Sequence, residues 1–259
     1  MANGADLSGK VVVISGGASG IGAAAARAFA VAGARVAIGD VQVVKGAILA
    51  AELGERAIFA RLDVTDPESW REMVAATLAA FGPLTTVVNS AGVSVPASIE
   101  DETLEGFHRT MSINLDGTFL GCKAAVEAMK AGRGGAIVNI ASTLGARGGG
   151  IFPAYSASKG AVRMLTRSVA LHCAARGYDI RVNAILPGAI HTEMVEGYIT
   201  AGEAAGGTRA AVIAGFAEVH PLKRLGRPEE AAAAILFLAS DAAGYITGAD
   251  LPVDGGYLA

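Results

Sequence analysis

The chain has 259 residues, enough for one large α/β domain or two small ones. With 52% hydrophobic and 17% charged residues it can bury a sizeable core, which excludes wholesale disorder. A formal charge of −3 with no Lys/Arg block argues against nucleic acid or an anionic membrane as a partner. Residues 1–9 are small and polar, without the apolar centre of a secretory signal, and the longest strongly apolar stretch (231–239) falls far short of the ~20 residues of a membrane span. The cysteines, Cys122 and Cys173, form neither a C-x-x-C nor a metal-type spacing. Two buried, reduced thiols in a cytoplasmic protein without a metal site are therefore expected.

In chain order, 10–14 is a short β-branched run and reads as a buried strand; a glycine cluster follows, then an alanine-rich helix over 21–32. Residues 35–39 read as a strand, 41–53 as a helix, 57–62 as a strand, and 67–81 as a helix with Pro67 in its first turn. Next come a strand at 85–88, a helical stretch over 104–131 with a break near 114–117, and a strand at 135–140. A long helix over 155–175, a strand at 180–186, a helix over 228–240 and a last strand at 250–253 complete the pattern. Continuous apolar strands alternating with helices predict one α/β domain, a parallel sheet covered on both faces.

Two stretches depart from this economy. Residues 142–153, with Gly145, Gly148, Gly149 and Gly150, read as a loop, and 191–227 is long, mixed and dotted with glycine. Both follow predicted strands, and open parallel sheets bind ligands beyond the carboxyl ends of their strands. They are the expected substrate wall and, at about 190–227, the lid.

The run S-G-G-A-S-G-I-G over 15–22 lies between the first strand and the first helix. Glycines there let backbone N–H groups approach a pyrophosphate at the positive end of the helix, although the spacing differs from G-x-G-x-x-G. Asp40 closes the second strand, where a carboxylate can accept both hydroxyls of an adenine ribose and repel a 2′-phosphate, predicting NAD. The lesser alternative is an N-cap of the next helix.

These residues begin a wider likeness. The 15–22 run matches T-G-x-x-x-G-x-G with Ser15 for Thr, L-D-V at 62–64 matches an adenine-contact segment, and N-S-A-G at 89–92 matches N-N-A-G. Asn114 stands in M-S-I-N-L, Ser142 in N-I-A-S, and Y-S-A-S-K over 155–159 matches Y-x-x-x-K. Pro187 and Gly188, with Thr192 soon after, and D-G-G at 254–256 complete the set. The chain thus resembles the short-chain dehydrogenase/reductase family from about residue 7 to 256. The resemblance implies a doubly wound Rossmann sheet and NAD bound by Ser15, Gly16, Ser19, Gly20, Ile21, Gly22, Asp40, Asp63, Val64, Asn89, Ala91, Gly92, Tyr155, Lys159, Pro187, Gly188, Ile190 and Thr192. It also implies a homo-oligomer, tetramer or dimer, paired through the helices that carry Cys122 and Cys173.

Tyr155 and Lys159 lie one helical turn apart on one face. Such a pair is by itself ordinary; the upstream serine and the glycine loop give it chemical meaning. A free tyrosine titrates near ~10, and an ammonium about 4 Å away at an effective dielectric near 20 contributes roughly 4 kcal/mol, about three pK units. Tyr155 is therefore expected near pH 7, with an oxidised nicotinamide pushing the same way and desolvation opposing. The roles implied by the resemblance follow. Ser142 orients the substrate oxygen, Tyr155 takes its proton as hydride leaves, Lys159 holds Tyr155 anionic and binds the ribose, and Asn114 positions a water.

Val93, Val95, Leu144, Ile151, Phe152, Met194, Val195 and Tyr198 predict a mostly apolar substrate pocket, with Arg147 the one cation within reach. A neutral, bulky secondary alcohol or ketone, cyclic, aromatic or steroid-like, is the expected substrate, and 171–194 resembles hydroxysteroid and secondary-alcohol dehydrogenases. A ketoacyl-thioester reductase is the alternative within enzymes, and a non-catalytic dinucleotide sensor the alternative outside them. An enoyl reductase fits less well, because that branch spaces its Tyr and Lys more widely. His108, His172, His191 and His220 match no catalytic position and read as surface or packing residues, His191 lying at the site's rim. Trp70 reads as core packing.

Overall fold

The computed structural model describes residues 6–132 and 134–259; the segment 1–5, part of the stretch read as lacking a secretory signal, lies outside them. Seven parallel strands form one sheet: β1 (Val11–Ser15), β2 (Arg35–Asp40), β3 (Ala57–Arg61), β4 (Thr86–Asn89), β5 (Gly135–Ile140), β6 (Ile180–Pro187) and β7 (Asp250–Val253). Their order is β3-β2-β1-β4-β5-β6-β7, every neighbouring pair parallel. All of β1 and β4 is buried, which is why those strands write unbroken apolar runs instead of alternating ones. The order reverses between β1 and β4, and a crevice opens there beyond the strands' carboxyl ends.

Helices cover both faces. On one side, α1 (Gly20–Val31), α2 (Val43–Leu53) and, late in the chain, 228–239 enclose Phe29, Val36, Ile38, Leu49 and Ile235. The small side chains of α1 let it lie close along that last helix. On the other side α3 (Pro67–Phe81), α5 (Gly117–Met129) and α7 (Pro153–Ala175) bury Trp70, Met73, Met129, Cys122 and Cys173. Both cysteines are free, and burial pushes the Cys122 thiol up to about 12, far from a reactive thiolate. Among the described residues no helix is long and apolar enough to cross a membrane.

Three departures from the expected elements matter for the site. The break near 114–117 is not a break: α4 (Leu104–Met111) runs into α5 through one widened π-turn, Ser112–Asp116, which carries Asn114 inward to full burial. The 142–153 loop contains a single helical turn, α6 (Leu144–Arg147), and α7 starts at Pro153, whose fixed φ suits a first helical position. The 191–227 stretch holds α8 (Glu193–Ala204) and α9 (Arg209–Glu218), followed by α10 (Pro228–Ala239). Gly197, Gly202 and Gly215 lie inside α8 and α9 and hide them from a periodicity reading, while the Thr208 hydroxyl accepts from Ala211 N–H and caps α9.

Candidate active site

A groove of about 610 Å³ crosses the strand ends at the β1/β4 crevice, from Asp40 and Asp63 to Gly92 and Thr192. Its floor is the 15–22 turn. Gly16 has φ +64°, and a Cβ there would lie 2.6 Å from the Ala91 backbone, so the turn can press onto the β4 end only as glycine. Ser19 enters α1 in extended conformation and makes no capping bond, which leaves the helix's first N–H groups without a side-chain acceptor where Ser19 and Gly20 line the groove.

Asp40 is buried, its Oδ2 accepting from Ala18 N–H (3.0 Å) and its Oδ1 from Gln42 N–H (2.9 Å). Gln42, not Asp40, occupies the N-cap of α2, so the capping alternative falls away. The Asp63–Val64 segment is fixed by the start of α3. The Ser69 hydroxyl accepts from Asp63 N–H (3.0 Å), and Trp70 Nε1 donates to Val64 O (3.1 Å). The Thr65 hydroxyl and then its N–H hold the Asp63 carboxyl below the usual range.

Ser15, Gly22 and Asn89 lie beneath this surface, not on it. The Asn89 amide donates to Asn139 Oδ1 (2.8 Å) and ties β4 to β5, while a Cβ on Gly22 would strike Gly16 O at 2.1 Å. Gly16, Ser19, Gly20, Asp40, Asp63, Val64, Ala91, Gly92 and Thr192 all line the groove.

The groove shares Gly92, Thr192 and Met194 with a deeper recess of about 110 Å³, where Ile21, Ser142, Tyr155, Lys159, Pro187, Gly188 and Ile190 converge. Lys159 is 3% exposed; its ammonium donates to Ile140 O (2.7 Å) and lies 5.7 Å from the Tyr155 ring centre. Burial pushes Lys159 down to about 8. It pushes Tyr155 up to about 12, against a hydrogen bond with Ser142. The expected fall of Tyr155 towards 7 is therefore corrected for the protein's own groups: the ammonium turns to a carbonyl, and burial raises the phenol by more than the Ser142 hydrogen bond lowers it.

Asn114 stands behind the recess. Its amide N–H groups donate to Val93 O (2.9 Å) and Ser158 Oγ (3.0 Å), and its Oδ1 accepts from Val93 N–H (2.8 Å). Both amide protons are used, so its side chain anchors the Val93 segment to α7.

The donor set fits a nicotinamide dinucleotide: carboxylates at one end, an uncapped helix N-terminus between, and hydroxyl, phenol and ammonium at the other. From Tyr155 a wall of aromatic rings runs through Phe152 and Tyr198 to Phe216. Tyr198 is 5.6 Å from Phe152 and stacked at 6.4 Å on Phe216. Phe216 was not visible as a site residue in the sequence, because α9 was not. His191 is turned to Glu196, which also holds Arg209, and Arg147 lies 4.8 Å from the Tyr257 ring centre. His220 is buried, with both ring nitrogens bonded, a placement that no motif announced.

A family model described as "Enoyl-(Acyl carrier protein) reductase" matches residues 16–258. The chain belongs to the short-chain dehydrogenase/reductase family. Three similar relatives cover almost their whole length and that of this short-chain dehydrogenase/reductase. A 2,5-dichloro-2,5-cyclohexadiene-1,4-diol dehydrogenase of Sphingobium indicum is 42% identical, over 97% of each chain. An NADP-dependent (R)-specific alcohol dehydrogenase of Lentilactobacillus kefiri is 39% identical over 98% of each, and a 3-beta-hydroxysteroid dehydrogenase of Comamonas testosteroni 39% over 97% of each. As a member of this family the chain is an oxidoreductase that works with a nicotinamide dinucleotide.

Proposed function

We propose that the chain is an NAD-dependent dehydrogenase of secondary alcohols on bulky apolar frames, cyclic, aromatic or steroid-like, and reduces the ketones in reverse. The observation that carries this is the convergence of Ser142, Tyr155 and Lys159 in a recess that adjoins the groove, with the Tyr155 ring against the aromatic wall. The names of the relatives, two of them acting on cyclic alcohols, point the same way. Asp40, fixed by two backbone N–H groups in the groove, favours a ribose diol over a 2′-phosphate, in contrast to the relative named as NADP-dependent.

A bound nicotinamide supplies the hydride acceptor or donor. Ser142 orients the substrate oxygen and Tyr155 exchanges its proton. As a neutral phenol Tyr155 is the acid for ketone reduction. Positive charge beside it is needed to make it the base for alcohol oxidation. Lys159 provides one such charge while protonated and would bind the ribose; Asn114 holds the Val93 segment and Ser158 in place around it. Asp40, Asp63 and Val64 would hold the adenosine end, and the 16–21 turn the pyrophosphate.

The matching family model's description raises an enoyl reductase as a second reading. The i, i+4 pair with Ser142 beside it favours chemistry at an oxygen, which needs a hydrogen-bond donor and a proton carrier at one point. The reading extends to a homo-oligomer, tetramer or dimer, supported by exposed Phe119 on α5 and Met164 and Leu171 on α7. A cytoplasmic home is supported by the two free thiols.

The test is NADH formation across propan-2-ol, cyclohexanol, 1-phenylethanol and hydroxysteroids, with Tyr155→Phe as control. Turnover should rise with apolar bulk and drop below a tenth in the variant while NAD still binds. A variant that keeps a tenth or more of the activity refutes the role of Tyr155.

A further inference from the structure

The turn 188–190 passes the inner end of the dinucleotide channel, and its outward polar groups are held one by one. Gly188 N–H donates to Val253 O (3.1 Å), Ala189 O accepts from Gly226 N–H (2.9 Å), and His191 N–H donates to Gly226 O (2.8 Å). These are backbone bonds. Ala189 N–H differs: it donates to the imidazole of His220, Nε2 at 3.2 Å.

His220 is 5% exposed, and its Nδ1 lies 2.7 Å from Phe216 O. A carbonyl oxygen only accepts, so Nδ1 carries the proton and Nε2 presents its lone pair to Ala189. One neutral tautomer satisfies both bonds. The ring also stacks on Tyr257 at 5.1 Å. Gly188 leaves the room this needs, since a Cβ there would lie 2.8 Å from His220 Nε2. On the far side, Phe216 belongs to the wall that runs through Tyr198 and Phe152 to Tyr155, the last pair 6.4 Å apart. His220 thus closes a ring of contacts from the phenol, through the lid, back to the turn beside it.

We propose that His220 is a positioning residue that fixes the 188–190 turn at the nicotinamide end of the channel and couples it to α9. The proposal rests on the dinucleotide reading of the channel, but not on any particular substrate. His220 touches no reacting atom; it acts through Ala189 and Phe216. Because the adenosine end is built from other segments (Asp40, Asp63 and the glycine turn), loss of His220 acts on one end of the ligand only.

The experiment is calorimetric titration of the full chain with NADH and, separately, with ADP-ribose, which lacks the nicotinamide. His220→Phe keeps a stacked ring and removes both hydrogen bonds. It should weaken NADH about tenfold and leave ADP-ribose within about twofold of wild type. His220→Gln, with an acceptor at the reach of Nε2, should recover most of the NADH affinity, and His220→Asn, too short to reach Ala189, should not. If the Phe variant does not fold, the order Gln above Asn in NADH affinity, with equal ADP-ribose affinity, carries the test. Equal losses for both ligands, no loss for NADH, or Gln no better than Asn overturns the proposal. Wild-type chain that binds neither ligand overturns the dinucleotide reading and the proposal together. Wild-type chain that binds NADH yet oxidises no alcohol of the panel bears on the substrate reading alone.

Discussion

Lys159→Met should separate the cost of burying an ammonium from its use. Lys159 is 3% exposed, and burial lowers its pKa from 10.5 to about 8. Between those values the unfolded chain keeps a proton that the folded chain has released, so stability rises with pH there, and the penalty is fully present below pH 8. At about 1.4 kcal/mol per pH unit, the whole shift amounts to about 3 kcal/mol. Methionine removes that penalty but also deprives Ile140 O of its 2.7 Å donor, a loss of about 1–3 kcal/mol. The two nearly offset at pH 7, where variant and wild type should unfold within about 2 kcal/mol of each other. By pH 10 wild type should have gained about 2–3 kcal/mol on the variant, or about 4–12 °C in unfolding midpoint. Thermal or urea unfolding of both chains from pH 7 to 10 reads this difference directly, since groups remote from Lys159 titrate equally in both. The series stops at pH 10 because Tyr155, raised to about 12, costs stability only as pH climbs from its ordinary 10. A gap that is flat, or that closes as pH rises, refutes the buried-ammonium account.

Three further outcomes are expected. If Asp40 takes the ribose as proposed, Asp40→Ala removes a charge-assisted contact, so the NAD-to-NADP ratio of kcat/KM should fall about tenfold or more, and an unchanged ratio would sink the assignment. Tyr198→Ala takes out the ring between Phe152 and Phe216, and should raise KM about tenfold for 1-phenylethanol and larger alcohols while sparing propan-2-ol; equal effects on both would count against the aromatic wall. Gly121→Ala places a Cβ 2.0 Å from Asn89 Oδ1 and 2.8 Å from the Trp70 ring, so overpacking should lower stability by about 1–3 kcal/mol, seen as a lower urea midpoint. An unaltered midpoint would mean that the α3–α5 contact yields more easily than its geometry indicates.

Much of the fold was written in the sequence because strands buried on both faces, such as β1 and β4, carry unbroken apolar runs that no surface element imitates. The candidate site was readable for a related reason: its parts are short segments, 15–22 and 62–64 after strands and 155–159 in the first turns of α7, and each keeps its residues contiguous. What escaped was direction. Asn89 belongs to the same short segment as Gly92, yet its amide points under the sheet to Asn139. His220 gains its meaning from Phe216 and Ala189, which lie on separate segments brought together only by the fold of α9.

Tyr155 and Lys159 show how spacing can bring two groups together without fixing the energetic consequence. The i, i+4 pattern brings both side chains to one recess, as expected. Coulomb attraction alone then predicts a phenolate at neutral pH, but attraction and desolvation grow together as a pair is buried. The ammonium is committed to Ile140 O, and burial raises Tyr155 by more than its hydrogen bond with Ser142 lowers it, which favours the neutral phenol. Under the proposed function this has a direct chemical consequence. Tyr155 is by default the acid for ketone reduction and becomes a base only when positive charge stands beside it. Lys159, lowered to about 8, supplies that charge only while protonated, so oxidation and reduction should depend differently on pH.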